Sequence, residues 1–244
     1  MSLFARTVPP GVFAIRGVMG VCHLLVDERR EAVMIDTGMV GERGQLRRLL
    51  RRLRLEPAAV RAVLLTHGHI DHGGNLAWVQ AFTGAVVYGH PAEQAHLDGT
   101  YPYRGRARWC GRLERLGYRA FRYRPGKIDR FIADGDELPF WGGLRVVHLP
   151  GHTDGHCGFY SARHDLLFSG DLFASYFFNV HLPPPFLSVN PAAIRDSLRK
   201  TIALSPRLIV PQHYDVLDGA LHRRRFDRLC HRVFTRRAGR AKPI

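Results

Sequence analysis

The sequence predicts an α/β fold in which mixed β-sheets are sandwiched by helices. Two patterns carry that prediction: short apolar runs broken by tight turns open the chain, and strand-like and helix-like stretches alternate after them. A third observation sharpens it. Histidines and aspartates recur just past predicted strands, where open α/β sheets place their sites.

Residues 12–15, 22–26 and 32–35 read as three strands, separated by Gly17 and Gly20 and by the charged turn Asp27-Glu28-Arg29-Arg30. The third runs into Asp36-Thr37-Gly38, a turn signal. Residues 45–55 then space Leu46, Leu49, Leu50 and Leu53 as the apolar face of a helix, which Pro57 ends. Residues 60–65 suit a buried strand, 73–82 a helix and 85–88 a strand. The stretch 91–130, rich in Arg, Tyr and Gly, breaks this rhythm; it is expected to form one or two helices inserted as a lid or flap. Strand signals resume at 144–149, 158–160 and 166–169. Residues 173–189, with Pro183-Pro184-Pro185, are too proline-rich for a helix. A helix at 191–204, a strand at 208–210 and a basic helix at 221–237 complete the chain, with no linker or repeat inside a single domain over 1–244.

The 244 residues are enough for one large domain, and 45% hydrophobic with 23% charged residues is ordinary for a protein with a real core. No run of eighteen apolar residues appears, so no membrane span is predicted. Residues 1–11 lack the apolar stretch of a secretory signal, and the expectation is a cytoplasmic protein. Cys22, Cys110, Cys157 and Cys230 are far apart and read as reduced thiols. The net charge of +15 is nearly all arginine, since lysine occurs only at positions 127, 200 and 242. Such a charge raises the possibility of a nucleic-acid or acidic partner. The arginine clusters are not interleaved with aromatics and glycines, however, and read better as solvated helix faces. Oligomeric state leaves no mark on the sequence.

The strongest chemical signal is Thr66-His67-Gly68-His69-Ile70-Asp71-His72. Imidazole and carboxylate are the usual nitrogen and oxygen ligands of zinc. In an extended segment His67 and His69 point the same way and can grip one ion. A turn into a helix then aims Asp71 and His72 at a second position. His152 in Pro150-Gly151-His152-Thr153-Asp154-Gly155-His156, Asp171 in Ser169-Gly170-Asp171, and His213 in Pro211-Gln212-His213 each follow a predicted strand. The combined set is large enough for two metals.

These motifs resemble those of the metallo-β-lactamase-fold hydrolases, most of all the glyoxalase II and thioesterase branch. The matching segments are T-H-x-H-x-D-H at 66–72, P-G-H-T-x-G-H at 150–156, G-D-L-F at 170–173 and the histidine of P-Q-H-Y at 211–214, over roughly residues 10–215. The resemblance implies an αββα sandwich, two mixed sheets flanked by helices. It implies that His67, His69 and His152 hold one divalent ion, that Asp71, His72 and His213 hold a second, and that Asp171 bridges them. Zinc is expected, with iron or manganese as alternatives that the same ligands suit. Asp36 and His156 would support the ligands from behind. A metal-bound hydroxide would then attack a small-molecule ester-type bond, thioester or lactone, with Asp71 orienting the nucleophile or moving its proton. Phe173, Tyr176, Phe177 and Phe178 are candidates to line the substrate pocket, and Tyr176 to polarise the substrate. A nuclease or phosphodiesterase acting on nucleic acid, and a mononuclear iron sulfur dioxygenase, are the alternative activities of the same fold. The chain departs from glyoxalase II at Leu172, where threonine followed by leucine is usual, and its Arg223-Arg224-Arg225 does not align with the basic glutathione-binding pattern.

Overall fold

A computed structural model describes residues 8–176 and 179–235. Strands β1 (Val12–Arg16), β2 (Val21–Val26) and β3 (Ala32–Ile35) form an antiparallel meander, as the turns between them require. Helix α1 (Glu42–Leu53) buries Leu46 and Leu50 and leaves its arginines in solvent. Its last turn closes on Arg54, which is left-handed (φ 52°) and donates its N–H back into the helix. The chain then enters β4 (Val60–Leu64), α2 (Ile70–Gly73), α3 (Leu76–Thr83) and β5 (Val86–Gly89), with β3, β4 and β5 parallel.

The stretch 91–130 contains α4 (Gln94–Leu97) and α5 (Arg108–Ala120). Helix α5 packs on α2 and on the turn Pro185–Leu187, beside the loops that follow the strands. Strands β6 (Arg130–Phe131) and β7 (Glu137–Leu138) follow, then β8 (Leu144–His148), β9 (Cys157–Ser161) and β10 (Leu166–Phe168). The proline-rich segment contains an antiparallel pair, β11 (Ala174–Tyr176) with β12 (Asn179–His181). Helix α6 (Ile194–Leu204), β13 (Leu208–Val210) and α7 (Gly219–Thr235) end the described chain.

The sheets run β1-β2-β3-β4-β5-β6 and β13-β10-β9-β8-β7, each mixing parallel and antiparallel pairs. Alternation along the strands explains why they stack. Leu25, Ile35 and Leu64 face Val146, Phe159 and Phe168 of the other sheet. Their neighbours Leu24, Met34 and Val63 point the opposite way, onto Leu46 and Leu50 of α1 and Leu76 and Val79 of α3. In the second sheet Val147, Leu167 and Ile209 turn outward onto Leu198 of α6 and Phe226 of α7. The result is an αββα sandwich. Each fully buried aliphatic or aromatic side chain contributes roughly 1.5–3 kcal/mol to it.

A buried histidine packs against this core. His23 is fully buried, its Nε2 3.0 Å from the Tyr214 hydroxyl, and burial pushes its pKa down to about 3, with Arg16 and His222 acting in the same direction. An unfolded histidine titrates near 6.5, so below that pH the unfolded chain binds a proton that the folded chain refuses. Stability from this residue is complete above pH 6.5 and falls as the pH drops toward 3. The urea midpoint is expected to fall between pH 7 and 5, with His23 contributing roughly 1.4 kcal/mol per pH unit at most. His23→Phe should flatten that slope; an unchanged slope would show that His23 does not set it.

Candidate metal centre

Four loops bring the histidines and aspartates together at one edge of the sandwich. The loop after β4 carries His67 and His69 and leads into α2, which carries Asp71 and His72. The loops after β8, β10 and β13 bring His152 with His156, Asp171, and His213. The potential ligand atoms of His67, His69 and His152 lie within 4.8 Å of one another, and those of Asp71, His72 and His213 form a second such group. Asp171 joins the two. Its Oδ1 is 3.4 Å from His72 Nε2, and its Oδ2 is 3.5 Å from His152 Nε2 and 3.2 Å from His213 Nε2.

Several of these atoms are buried without a hydrogen-bond partner: His67 Nε2, His72 Nε2 and Asp171 Oδ1. Orphaned polar atoms of this kind are costly in a folded protein, on the order of 1–3 kcal/mol each. Their convergence, with imidazole and carboxylate as the donors, fits divalent cations.

The opposite ring edges are held. Asp36 sits in a left-handed turn (φ 58°) at the end of β3 and accepts three hydrogen bonds, from the Thr66 N–H (2.7 Å), the Thr66 hydroxyl (2.8 Å) and His72 Nδ1 (2.9 Å). Because the Thr66 hydroxyl donates to Asp36, it accepts from His67 Nδ1 at 3.1 Å. One carboxylate therefore fixes two imidazoles with their Nε2 lone pairs turned inward. His156 works on Asp171 instead. Its Nδ1 donates to the Leu149 carbonyl, and its Nε2 accepts the Asp171 N–H at 2.8 Å. Gly170 (φ 55°) permits this, since a Cβ there would stand 2.3 Å from His156 Nε2.

Burial, reinforced by their neighbours, holds His67 and His152 well below the usual histidine pKa, and burial brings His69 to about 4. These rings are neutral at pH 7, the form that ligates metals. Burial acts the same way on His72 and His213, but Asp171 and Asp71 outweigh it and raise both. The histidines in turn hold the two carboxyls below the usual range against their own burial.

Three supporting residues carry no local sequence signal. Glu93, fully buried at the start of the insertion, accepts the N–H of Gly68 at 2.7 Å and that of Gly155 at 2.8 Å, and so ties two ligand loops together. Burial raises its pKa to about 7. Cys110 of α5 places Sγ 3.6 Å from His69 Nε2, leaving His69 Nδ1 to face His152 Nε2 at 2.9 Å. His96 lies beside His69, ring centroids 5.4 Å apart.

The pocket candidates divide. Tyr176 is exposed, its hydroxyl 3.3 Å from His213 Nδ1, at the open side of the centre where Asp71 and His213 keep 20% and 17% of their side chains exposed. Phe173 is not a pocket residue. It turns into the layer between the second sheet and the helices, 1% exposed, with its ring 5.3 Å from Phe226. Phe177 and Phe178 lie outside the described residues. Phe173→Ala is expected to cost roughly 3–5 kcal/mol in urea unfolding, whereas the milder Phe173→Leu should leave KM unchanged; a raised KM with unaltered stability would return Phe173 to the pocket.

The sequence profile described as the metallo-beta-lactamase superfamily matches residues 15–213. The chain belongs to that superfamily. An uncharacterized protein of Mycobacterium tuberculosis is 36% identical over 157 residues, covering 62% of this chain and 66% of its own length. The hydroxyacylglutathione hydrolase GloC of Haemophilus influenzae is 30% identical over 158 residues, covering 62% of this chain and 65% of its own. The chain thus spans just under two thirds of the length of these relatives. Among solved structures, a metallo-beta-lactamase family protein of Thermus thermophilus superposes with a TM-score of 0.73 at 25% identity, over 93% of this chain and 81% of its own. TTHA1623, solved in a di-iron-bound form, gives 0.65 at 26% identity, over 87% and 96%. The superfamily fold is the αββα sandwich seen here. Among the described residues no helix is long and apolar enough to cross a membrane.

Proposed function

We propose that the protein is a dinuclear metal-dependent hydrolase of a small-molecule ester-type bond, a thioester or a lactone. The observation that carries this reading is the position of Asp171 between two ligand groups, with His67 Nε2, His72 Nε2 and Asp171 Oδ1 converging without hydrogen-bond partners. In this reading His67, His69 and His152 would hold one ion, Asp71, His72 and His213 would hold the other, and Asp171 would be shared between them. Zinc is the proposed metal, since neutral imidazoles and carboxylates suit it. Bound divalent cations supply Lewis acidity and a water acidified to near-neutral pKa.

The chain's own residues do the rest. Asp71, partly exposed with Oδ2 3.4 Å from His213 Nε2, is placed to orient the attacking water and to hold its proton. His213 Nε2 faces Asp71 and Asp171 and would be the ligand atom, which leaves Nδ1 to carry the proton and donate to the Tyr176 oxygen. The phenol hydrogen is then free to hydrogen-bond the substrate oxygen. The GloC relative, named for hydrolysis of an acylglutathione, supports an acyl–sulfur bond as the first substrate to try.

The test is hydrolysis of a thioester and a lactone by zinc-loaded protein, side by side, with and without chelator. Chelator-sensitive turnover of either establishes the hydrolase, and the faster one gives the substrate class. Failure on both, in protein shown to hold two metals, overturns this reading and moves the search to phosphodiesters.

A further inference from the structure

A cleft of 320 Å³ lies in the helical insertion, between the 99–103 loop and α5. One wall is Tyr101, Pro102 and Tyr103. The other is a stripe of Arg108, Arg112 and Arg115, at the i, i+4, i+7 spacing that lines one side of a helix. Gly111 shapes the space between them, since a Cβ there would stand 2.5 Å from the Tyr103 ring.

Two features mark the cleft as more than a solvated surface. Among the described residues no carboxylate forms an ion pair with these three arginines. The acid that lines the cleft, Glu114, is engaged elsewhere, accepting from the Tyr103 hydroxyl and from the Ile70 N–H. In addition, His96 lines the cleft fully buried and holds its aromatic wall in place, Nδ1 donating to the Tyr103 hydroxyl and the ring stacked on Tyr101 with centroids 3.8 Å apart.

We infer that this cleft binds the carboxylate or phosphate group of a small anionic molecule, with the arginines as a multidentate clamp and Tyr101 and Tyr103 as its aromatic wall. Planar guanidinium groups match those oxyanions bidentately, which lysine cannot do. The cleft is one side-chain layer from the metal centre, because His96 and Tyr103 stand at 5.4 and 6.4 Å from the His69 ring. The anion is therefore either the acidic arm of the substrate, which rests on the hydrolase reading above, or a separate effector sensed through His69.

The experiment is calorimetric titration with inorganic phosphate and with succinate, comparing metal-loaded wild-type protein with Arg112→Ala/Arg115→Ala. Both positions are exposed, so the variant should fold; Arg115→Glu provides a second, charge-reversed check. Saturable binding that weakens roughly tenfold or more in the variant, about 1.4 kcal/mol, supports the cleft. Binding of equal strength in both proteins places the anion at the metals and overturns the proposal, as does no saturable binding to wild type. Kinetics then separate the two sources. An acidic ester whose KM rises in the variant while a neutral ester is unaffected identifies a substrate arm, whereas a change in kcat without competition identifies an effector. Should no ester be hydrolysed at all, the hydrolase reading falls while the titration still decides the cleft.

Discussion

Asp171→Ala is expected to reduce kcat by at least about 10³-fold, beyond the roughly 10–100-fold that loss of a supporting partner usually costs. The prediction follows from position. Asp171 reaches both ligand groups, through His72 on one oxygen and through His152 and His213 on the other. Its backbone is held independently by the bond from its N–H to His156 Nε2, so removing the carboxylate should leave the loop in place. Far-UV circular dichroism should be unchanged, and metal content measured by mass spectrometry should fall below two ions per chain. Asp36→Asn is the natural comparison. It keeps one acceptor oxygen but weakens the hold on His67 and His72, and should stay within the smaller range. Were Asp171→Ala no worse than Asp36→Asn, or still able to hold two metals at wild-type rate, the reading of Asp171 as the carboxylate shared by two ions would fail.

How much of this was legible in the sequence depends on the range of the interaction that carries each feature. The facing pairs Leu24/Leu25, Met34/Ile35 and Val63/Leu64 declare two buried faces within a few residues, so the strands that bear them are readable. Strands β6 and β7 are two residues each, too short to show a period. The β11–β12 pair is obscured by the triple proline after it, which argues against a helix without arguing for a hairpin. The seven candidate ligands stand in short motifs at strand ends, and the fold brings all of them together. Glu93, His96 and Cys110 reach the centre only through packing of the insertion, and a glutamate after Pro91 looks like any acid in a first helical turn. The burial of Phe173 is not legible for a related reason. An aromatic leaving a ligand loop can turn either to the metals or to the core, and only the helices α6 and α7 decide.

Glu93→Ala is expected to be the most destabilising single change near the site that touches none of the candidate ligands. The carboxylate accepts two buried N–H groups, from Gly68, which lies between His67 and His69, and from Gly155, which precedes His156. Alanine leaves both donors without an acceptor. At about 1–3 kcal/mol for each buried unsatisfied group, the loss is roughly 2–6 kcal/mol, a large part of an ordinary domain's stability. Burial alone does not favour this residue, since it pushes the carboxyl up to about 7, and the two N–H groups it accepts from the ligand loops offset that cost. Glu93→Gln separates the contributions. The amide keeps one oxygen for one N–H and presents an NH₂ to the other, so it should fall between wild type and alanine in urea midpoint. Both variants should also bind metal more weakly, because the distance between the 66–72 and 150–156 loops is no longer fixed. A Glu93→Ala protein as stable as wild type would mean that water or a shifted backbone satisfies Gly68 and Gly155. Metal affinity measured in that protein would then show whether the two loops need the carboxylate to stay in register.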